Sequence, residues 1–507
     1  MRTKKATINV VGNTLSYLMI LIPNFIVRKV FLQVLGSELL GLSSLYNNII
    51  GLLSLIELGI GTTIIFSLYK PYAENDREKI KGYLNYYRRF YSIIGILVLI
   101  LGVLAIPFLK FFIKSEIDIN NAALYFLLYL INTCITYLFS YKICLLNVSQ
   151  EGYKVSLATA ISKVAIALLQ ILFLNIYSSF IIYILIQIVI QLIYYIAINI
   201  YISRRNPWLK KQVGKITASE KQDLVKNVKS LFLHKIGSFI VFSTDNLLIS
   251  RFINLKTVTK YNSYYMVISA AQNVINNGLS GITASIGNLL VEKDKESAFN
   301  IHKKLFLLNF WVVSIVIITF FNTLEQFIII WLGKNQLLDK FTFIIILVNL
   351  YFTLMRGSVE KFQEGSGSYY QDRYASLVES IINLVSSLIL VNLIGLPGIF
   401  LGTLISNILV VFWVKPLVVY KYVFNKDVKY YFNMYFKYIL ILCVPLILTI
   451  ITSKAFKYNY SILSFITNVL VNLLIINISY IIIFRKSEEF LYYKKTIISF
   501  IFKFKNI

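Results

Sequence analysis

Runs of about twenty or more apolar residues recur along this chain from end to end, and that repetition constrains the fold more than any motif does. One such run, wound as an α-helix at about 1.5 Å per residue, crosses the roughly 30 Å hydrocarbon core of a bilayer. About fourteen can be placed in 507 residues, of which 58% are hydrophobic and only 14% charged, with a mean hydropathy of +0.72. The fold class expected is an all-α polytopic membrane protein with about 14 transmembrane helices. Little chain is left for a soluble domain.

The formal charge of +27 is spread over short connections rather than gathered in a module. One membrane face receives Arg2, Lys4 and Lys5, then Lys70, Arg77, Lys79 and Lys81, then Arg204, Arg205, Lys210 and Lys211. Further along it receives Lys293, Lys295, Lys303 and Lys304, then Lys421, Lys426 and Lys429, and finally Arg485, Lys486, Lys494 and Lys495. The opposite face receives few: Lys110, Lys114, Lys256, Lys260, Lys334, Lys340, Lys454 and Lys457. Basic loops stay cytoplasmic, so both termini are expected in the cytoplasm, and the basicity reads as a topology signal reinforced by anionic lipid heads. Nucleic acid is not an expected partner, because no basic, aromatic-interleaved soluble module is present. Met-Arg-Thr-Lys-Lys at the start is followed by an apolar stretch interrupted by Asn9, Asn13 and Ser16, which reads as a retained first span rather than a cleaved signal. Cys134, Cys144 and Cys443 lie in apolar runs without metal-ligand spacing, so neither a disulfide framework nor a metal is expected.

An internal repeat emerges from the connections. Glu74, Asp76 and Glu78 after the second span recur as Glu292, Asp294 and Glu296 after the eighth, an offset of 218 residues. Gln150-Glu151-Gly152-Tyr153, leading to Ser156-Leu157 after the fourth span, recurs as Gln371-Asp372-Arg373-Tyr374, leading to Ser376-Leu377 after the tenth. Six spans is an even number, so the two units share one orientation, as in transporters built from parallel repeats. The expected layout is a first lobe at 1–210 (spans 1 to 6), a second at 211–425 (spans 7 to 12), and 426–507 holding two extra spans and a basic, interfacial tail. A substrate cavity is expected between the lobes.

Polar stripes mark what the spans face. Near the bilayer centre an ionised group costs about 3 kcal/mol, so each one needs a partner or water. Lys235, Ser238, Phe242 and Asp245 share one stripe of the seventh span, with His234 beside it as a packing residue. Span 1 carries Asn13, Ser16, Tyr17, Asn24 and Arg28, with Pro23 able to kink it, and span 2 carries Asn47, Gly51, Ser54 and Glu57. Span 8 adds Asn273 and Asn276, and span 10 adds Arg356 and Glu360, an i, i+4 pair able to neutralise itself. The cationic candidates Arg28, Lys235 and Arg356 suit an anionic substrate, above all a phosphate. Asn13, Asn24, Asn47, Asn273 and Asn276 supply a polar lining. Glu57, Asp245 and Glu360 are candidates for coupling to protons or sodium ions; no other cofactor is expected.

Enzymatic and ATP-driven classes lack their signatures. No G-x-x-x-x-G-K-[ST] occurs, no extramembrane segment is long enough for a catalytic domain, and only His234 and His302 could serve as an imidazole base.

Gly41-Leu42, Leu45-Tyr46-Asn47-Asn48-Ile49, Glu57-Leu58-Gly59-Ile60-Gly61 and Leu68-Tyr69-Lys70-Pro71 resemble bacterial polysaccharide-repeat-unit flippases. So do His234-Lys235-Ile236-Gly237, Thr244-Asp245-Asn246 and Ile249-Ser250. These flippases belong to the multidrug/oligosaccharidyl-lipid/polysaccharide exporter superfamily, and the resemblance extends over essentially the whole chain. It implies a two-lobed bundle with alternating access in the bacterial plasma membrane. The implied substrate is an undecaprenyl-diphosphate-linked oligosaccharide moved outward for capsule, exopolysaccharide or O-antigen assembly, in company with a polysaccharide polymerase and glycosyltransferases. A drug or cation antiporter, or a lipid II or teichoic-acid flippase, is the near alternative on the same fold; a membrane polysaccharide polymerase is a more distant one.

Overall fold

The computed structural model describes residues 2–57, 60–113, 117–211, 213–225, 228, 244–292, 294–456 and 460–505, and among these every regular element is helical. Eleven helices among the described residues are long and apolar enough to cross a membrane. The chain divides into two compact units, Met1–Thr259 and Lys260–Ile507.

In the first unit the long helices are α1 (Arg2–Leu53), α2 (Ile60–Ala73), α3 (Arg77–Ala105), α4 (Ile119–Phe139), α5 (Gly152–Tyr177) and α6 (Phe180–Arg205). Helix α1 lies along α5, while α3 packs on α4, and α6 on both α4 and α5. Aromatic side chains fill the joint: Phe31 meets Phe180 and Tyr183 edge-on at 5.6 and 4.8 Å, and Tyr46 sends its hydroxyl to the Ala122 carbonyl at 2.6 Å.

The expected second span is not one helix. Gly36 interrupts α1 with φ 82° and ψ 174°, a conformation that a side chain strongly disfavours. Beyond Leu53 the chain tightens into a 3-10 turn, Ser54–Glu57, before α2 begins at Ile60. The start of this span is therefore joined to the end of α1, and Glu57 sits at a helix break.

The second unit holds α7 (Leu255–Glu292), which starts at the end of the first unit, followed by α8 (Lys295–Leu332), α9 (Lys340–Met355), α10 (Ala375–Ile394), α11 (Leu396–Ser406), α12 (Lys429–Ser453), α13 (Ile462–Phe484) and α14 (Glu488–Lys505). Helix α7 answers to the eighth expected span, and its polar stripe keeps it outside the eleven. Most of the seventh span falls outside the described residues. Helices α10 and α11 form a tight hairpin, because a Cβ at Gly402 would collide with Ser387.

Lipid tails are as apolar as leucine, so these helices associate through close packing and hydrogen bonds rather than through the hydrophobic effect. The two extra helices illustrate this. Asn322 of α8 donates to Asn472 of α13 at 2.7 Å, and Asn468 of α13 donates to Gln326 of α8 at 3.2 Å. Ser453 at the end of α12 donates to Asn468 at 2.8 Å. Asn468 and Asn472 are fully buried, so this amide ladder fastens α12 and α13 to α8.

The matched connections share local structure. Asp76 caps α3 by accepting from the Lys79 amide at 3.0 Å, and Asp294 caps α8 by accepting from the Ser297 amide at 3.1 Å. Glu151, ahead of α5, pairs with Arg205 at the end of α6. Its counterpart Asp372, ahead of α10, pairs with Lys415 beyond α11 at 3.6 Å.

Candidate functional site

In the first unit, two helices turn polar faces toward each other. Thr159, Lys163 and Gln170 follow one face of α5 at i, i+4 and i+11, and Tyr183, Gln187, Gln191 and Tyr194 follow one face of α6. With Asn24 of α1 they line a cavity of about 370 Å³. Hydrogen bonds across the helices hold its walls. Gln170 Nε2 donates to the Tyr183 carbonyl at 3.0 Å, Gln191 Nε2 to Thr136 Oγ1 at 2.7 Å, and the Thr159 and Tyr194 hydroxyls meet at 3.0 Å.

Two features set this cavity apart. Among the described residues no carboxylate lines it, and the one charged wall residue is Lys163. Lys163 is exposed and lies about 16 Å from the start of α5, near the middle of a helix long and apolar enough to cross a membrane. No carboxylate oxygen among the described residues comes within 4.0 Å of its ammonium.

Arg28 stands one turn along α1 from Asn24. Its Nη2 donates to the Thr259 carbonyl at 2.8 Å, and its guanidinium lies within electrostatic reach of Tyr183. Glu57, at the helix break, accepts a 2.5 Å hydrogen bond from the Tyr91 hydroxyl.

The second unit places Arg356 and Glu360 differently. Arg356 Nε donates to Glu360 Oε1 at 2.7 Å and its Nη1 to Asn407 Oδ1 at 3.2 Å. Lys361 pairs with Glu364 at 2.6 Å, and Glu379 and Lys415 act on the Arg356–Glu360 pair from nearby. Arg356, Lys361 and Lys415 thus pair with Glu360, Glu364 and Asp372, one carboxylate to each cation, with Glu379 nearby.

The remaining sequence candidates are scattered. Asn13 is exposed on α1, and Asn273 and Asn276 are exposed on α7. Asn47 returns its amide to its own helix, donating to the Ser43 carbonyl at 2.9 Å. Asp245 is 8% exposed at the start of the short helix Asp245–Leu248. Lys235, with His234, lies outside the described residues.

Sequence reasoning missed Lys163, Gln170, Gln187 and Gln191. Their helical spacing was a readable signal, masked because α5 and α6 scan as long apolar runs. Among the described residues, no group of three or more His, Cys, Asp or Glu could hold a metal ion.

Polar side chains set inside helices long and apolar enough to cross a membrane characterise this polytopic helical fold, and solved structures share it. A lipid II flippase, MurJ, in an inward closed conformation superposes with a TM-score of 0.71 at 14% identity, over 93% of this chain and 98% of that one. An inward-facing multidrug resistance transporter of the MATE family in the MOP superfamily gives 0.63 at 14% identity, over 79% and 95%. A MOP superfamily transporter from Pyrococcus furiosus Vc1 gives 0.53 at 14% identity, over 80% and 92%. At such identities the likeness is one of fold. Residues 3–282 match the family model described as polysaccharide biosynthesis protein, and the chain belongs to that family. No curated protein matches it in sequence.

Proposed function

We propose that the protein is a flippase that moves undecaprenyl-diphosphate-linked oligosaccharide repeat units from the cytoplasmic to the outer leaflet of a bacterial plasma membrane, for cell-surface polysaccharide biosynthesis. Membership of the polysaccharide biosynthesis family carries this reading. A polar cavity inside an otherwise apolar helical unit supports it, since a glycan crossing the hydrocarbon needs hydrogen-bonding walls.

The work is transport by alternating access, without covalent chemistry. Cationic groups, with Arg28 and Lys235 the leading candidates, hold the diphosphate, amides and hydroxyls solvate the sugars, and the polyprenyl tail stays in lipid. Arg356 is the weaker member of the original trio, because Glu360 and Asn407 already occupy its donors. Coupling to protons or sodium belongs to Glu57 or Asp245. The lobe division at 210 and 425, cytoplasmic termini, and service to a polymerase and glycosyltransferases complete the proposal.

The decisive measurement is the sidedness of lipid-linked oligosaccharide in cells lacking the protein. Accumulation on the cytoplasmic leaflet, relieved by the wild type, is expected; normal outward delivery without it overturns the reading. The similarity to a lipid II flippase favours one second reading, in which the cargo is lipid II. Depletion would then halt cell-wall synthesis and leave surface polysaccharide export intact.

A further inference from the structure

We propose that the basic cluster where α3, α4 and α6 reach one membrane face is a binding site for the phosphate of an anionic phospholipid, held by Arg88 and Lys142. The inference goes beyond the flippase reading, because it concerns a lipid that stays in its leaflet rather than the cargo.

Three observations converge. First, two cations share one aromatic ring just past the end of α4. The Arg88 guanidinium lies 5.7 Å from the centre of the Tyr141 ring, and the Lys142 ammonium lies 5.7 Å from the same centre. Lys142 is also tied to α6, donating to Ser203 Oγ at 2.9 Å, and Lys81 and Lys210 stand nearby. Arg88 is exposed, and Tyr141 and Lys142 are partly exposed, so a headgroup has access to all three.

Second, like charges gather here without a carboxylate. Among the described residues no acidic oxygen comes within 4.0 Å of the charged groups of Lys81, Arg88, Lys142 or Lys210. Carboxylates are supplied to neighbouring cations of the same unit: Glu151 pairs with Lys154 at 2.8 Å and with Arg205, and Glu220 pairs with Lys79 at 3.3 Å. Crowded cations repel one another, and a bound anion relieves that repulsion. A phosphodiester suits the place, because its free oxygens accept from the guanidinium fork and from the ammonium protons that Ser203 leaves open.

Third, the cluster lies at headgroup depth. After Arg88 and Arg89, the chain from Phe90 to Leu109 carries no charge. At about 1.5 Å per residue that stretch spans about 30 Å, the thickness of the hydrocarbon core. Residues 119–141, which lead to Lys142, and 180–203, which lead to Arg204, are uncharged as well. Three apolar runs therefore end at one cluster, at the level where lipid phosphates sit, and basic pockets between helices at that level suit anionic headgroups. A topology signal requires only a number of charges; here two of them are set on one ring and tied across helices.

The test uses purified full-length protein in detergent with equal amounts of phosphatidylglycerol and phosphatidylcholine, and reads the bound lipids by native mass spectrometry. The wild type should retain phosphatidylglycerol over phosphatidylcholine by about tenfold or more, the scale of two cations acting on one anionic headgroup. Arg88→Gln combined with Lys142→Gln should bring the ratio close to parity. Arg88→Gln alone, at an exposed position that the fold tolerates, should leave a ratio of about threefold. Lys421→Gln combined with Lys429→Gln removes the same amount of charge from two other exposed lysines and should leave the ratio unchanged. Equal retention of the two lipids by the wild type overturns the site, and so does an equal loss in the Lys421 and Lys429 variant, the signature of generic surface charge. Displacement of phosphatidylglycerol by millimolar inorganic phosphate, or by undecaprenyl diphosphate at equal concentration, overturns the phospholipid assignment and gives the site to a soluble anion or to the cargo. Each of these outcomes leaves the flippase reading standing.

Discussion

The two units treat charge in opposite ways. In the first, α5 exposes Lys163 to a cavity lined by uncharged amides and hydroxyls. In the second, α10 has neither lysine nor arginine. Placing Ser376-Leu377 on Ser156-Leu157, an offset of 220, sets Asn383 where α5 has Lys163. Asn383 is 1% exposed and donates to Thr403 Oγ1 at 2.9 Å, so it serves the α10–α11 hairpin. The second unit's cations instead face carboxylates of their own. The matched connections thus keep a cap and a loop ion pair in each unit, while Lys163 of the first has no carboxylate within 4.0 Å among the described residues and the cations of the second sit beside carboxylates.

That contrast can be broken by mutation. Arg356→Ala strands Glu360 beside a cluster that relied on the guanidinium, and should cost about 3 to 5 kcal/mol in thermal or denaturant unfolding of the purified protein. Removing Glu360 as well should recover most of the loss. Lys163→Ala, with no partner to strand, should stay within about 0.5 kcal/mol in the same assay. Equal costs would erase the distinction between open and closed charge.

Smaller effects sharpen it. Tyr91→Phe removes the hydroxyl that Glu57 accepts from at 2.5 Å, and should destabilise the first unit by about 1 to 3 kcal/mol. If Glu57 carries the coupling ion, the variant should also shift the pH at which gradient-driven transport is half-maximal, whereas a purely structural tyrosine would leave that midpoint in place. Asn468→Leu cuts the ladder between α13 and α8 and should cost about 0.6 to 1.7 kcal/mol, read as easier proteolysis of the last two helices.

A change confined to acid pH concerns Glu151. Hydrogen bonds from Arg205 and Lys154 hold its carboxyl down to about 2, below the usual carboxylate range near 4.3. Because the folded value is the lower one, the contribution to stability is present at pH above about 4.3 and is lost as the pH falls toward 2. Arg205 is largely exposed, so screening limits the contribution to about 1 kcal/mol. Glu151→Gln should flatten the acid side of the stability profile by that amount; an unchanged acid limb would show that the pair adds nothing.

Much of the architecture was legible because hydrophobic length and loop charge are averages over many residues and tolerate local error. Asp76 and Asp294 were recognisable as a matched pair before their shared role as helix caps was visible. Site residues were less so. Asn24 was found because Asn13, Ser16 and Arg28 mark the same helix as polar, whereas Lys163 and the three glutamines sit among isoleucines and leucines that dominate any windowed reading. The break at Ser54–Glu57 had no proline to announce it. For Arg356 the pairing with Glu360 was evident from spacing, whereas Asn407, Lys415 and Glu379 join only in three dimensions.

The amide ladder on α8 also orders events during synthesis. Asn322 and Asn472 meet across 150 residues of chain, so α8 emerges from the ribosome long before the asparagines that will cap its polar flank exist. Until α13 arrives, Asn322 and Gln326 must be shielded by the insertion machinery or by water. A chain cut before residue 462 would never bury them, although it would retain every helix of both repeats. The last two helices, outside the repeat, therefore act as a completion mark: a nascent chain that lacks them leaves a polar flank on α8 for membrane quality control to find.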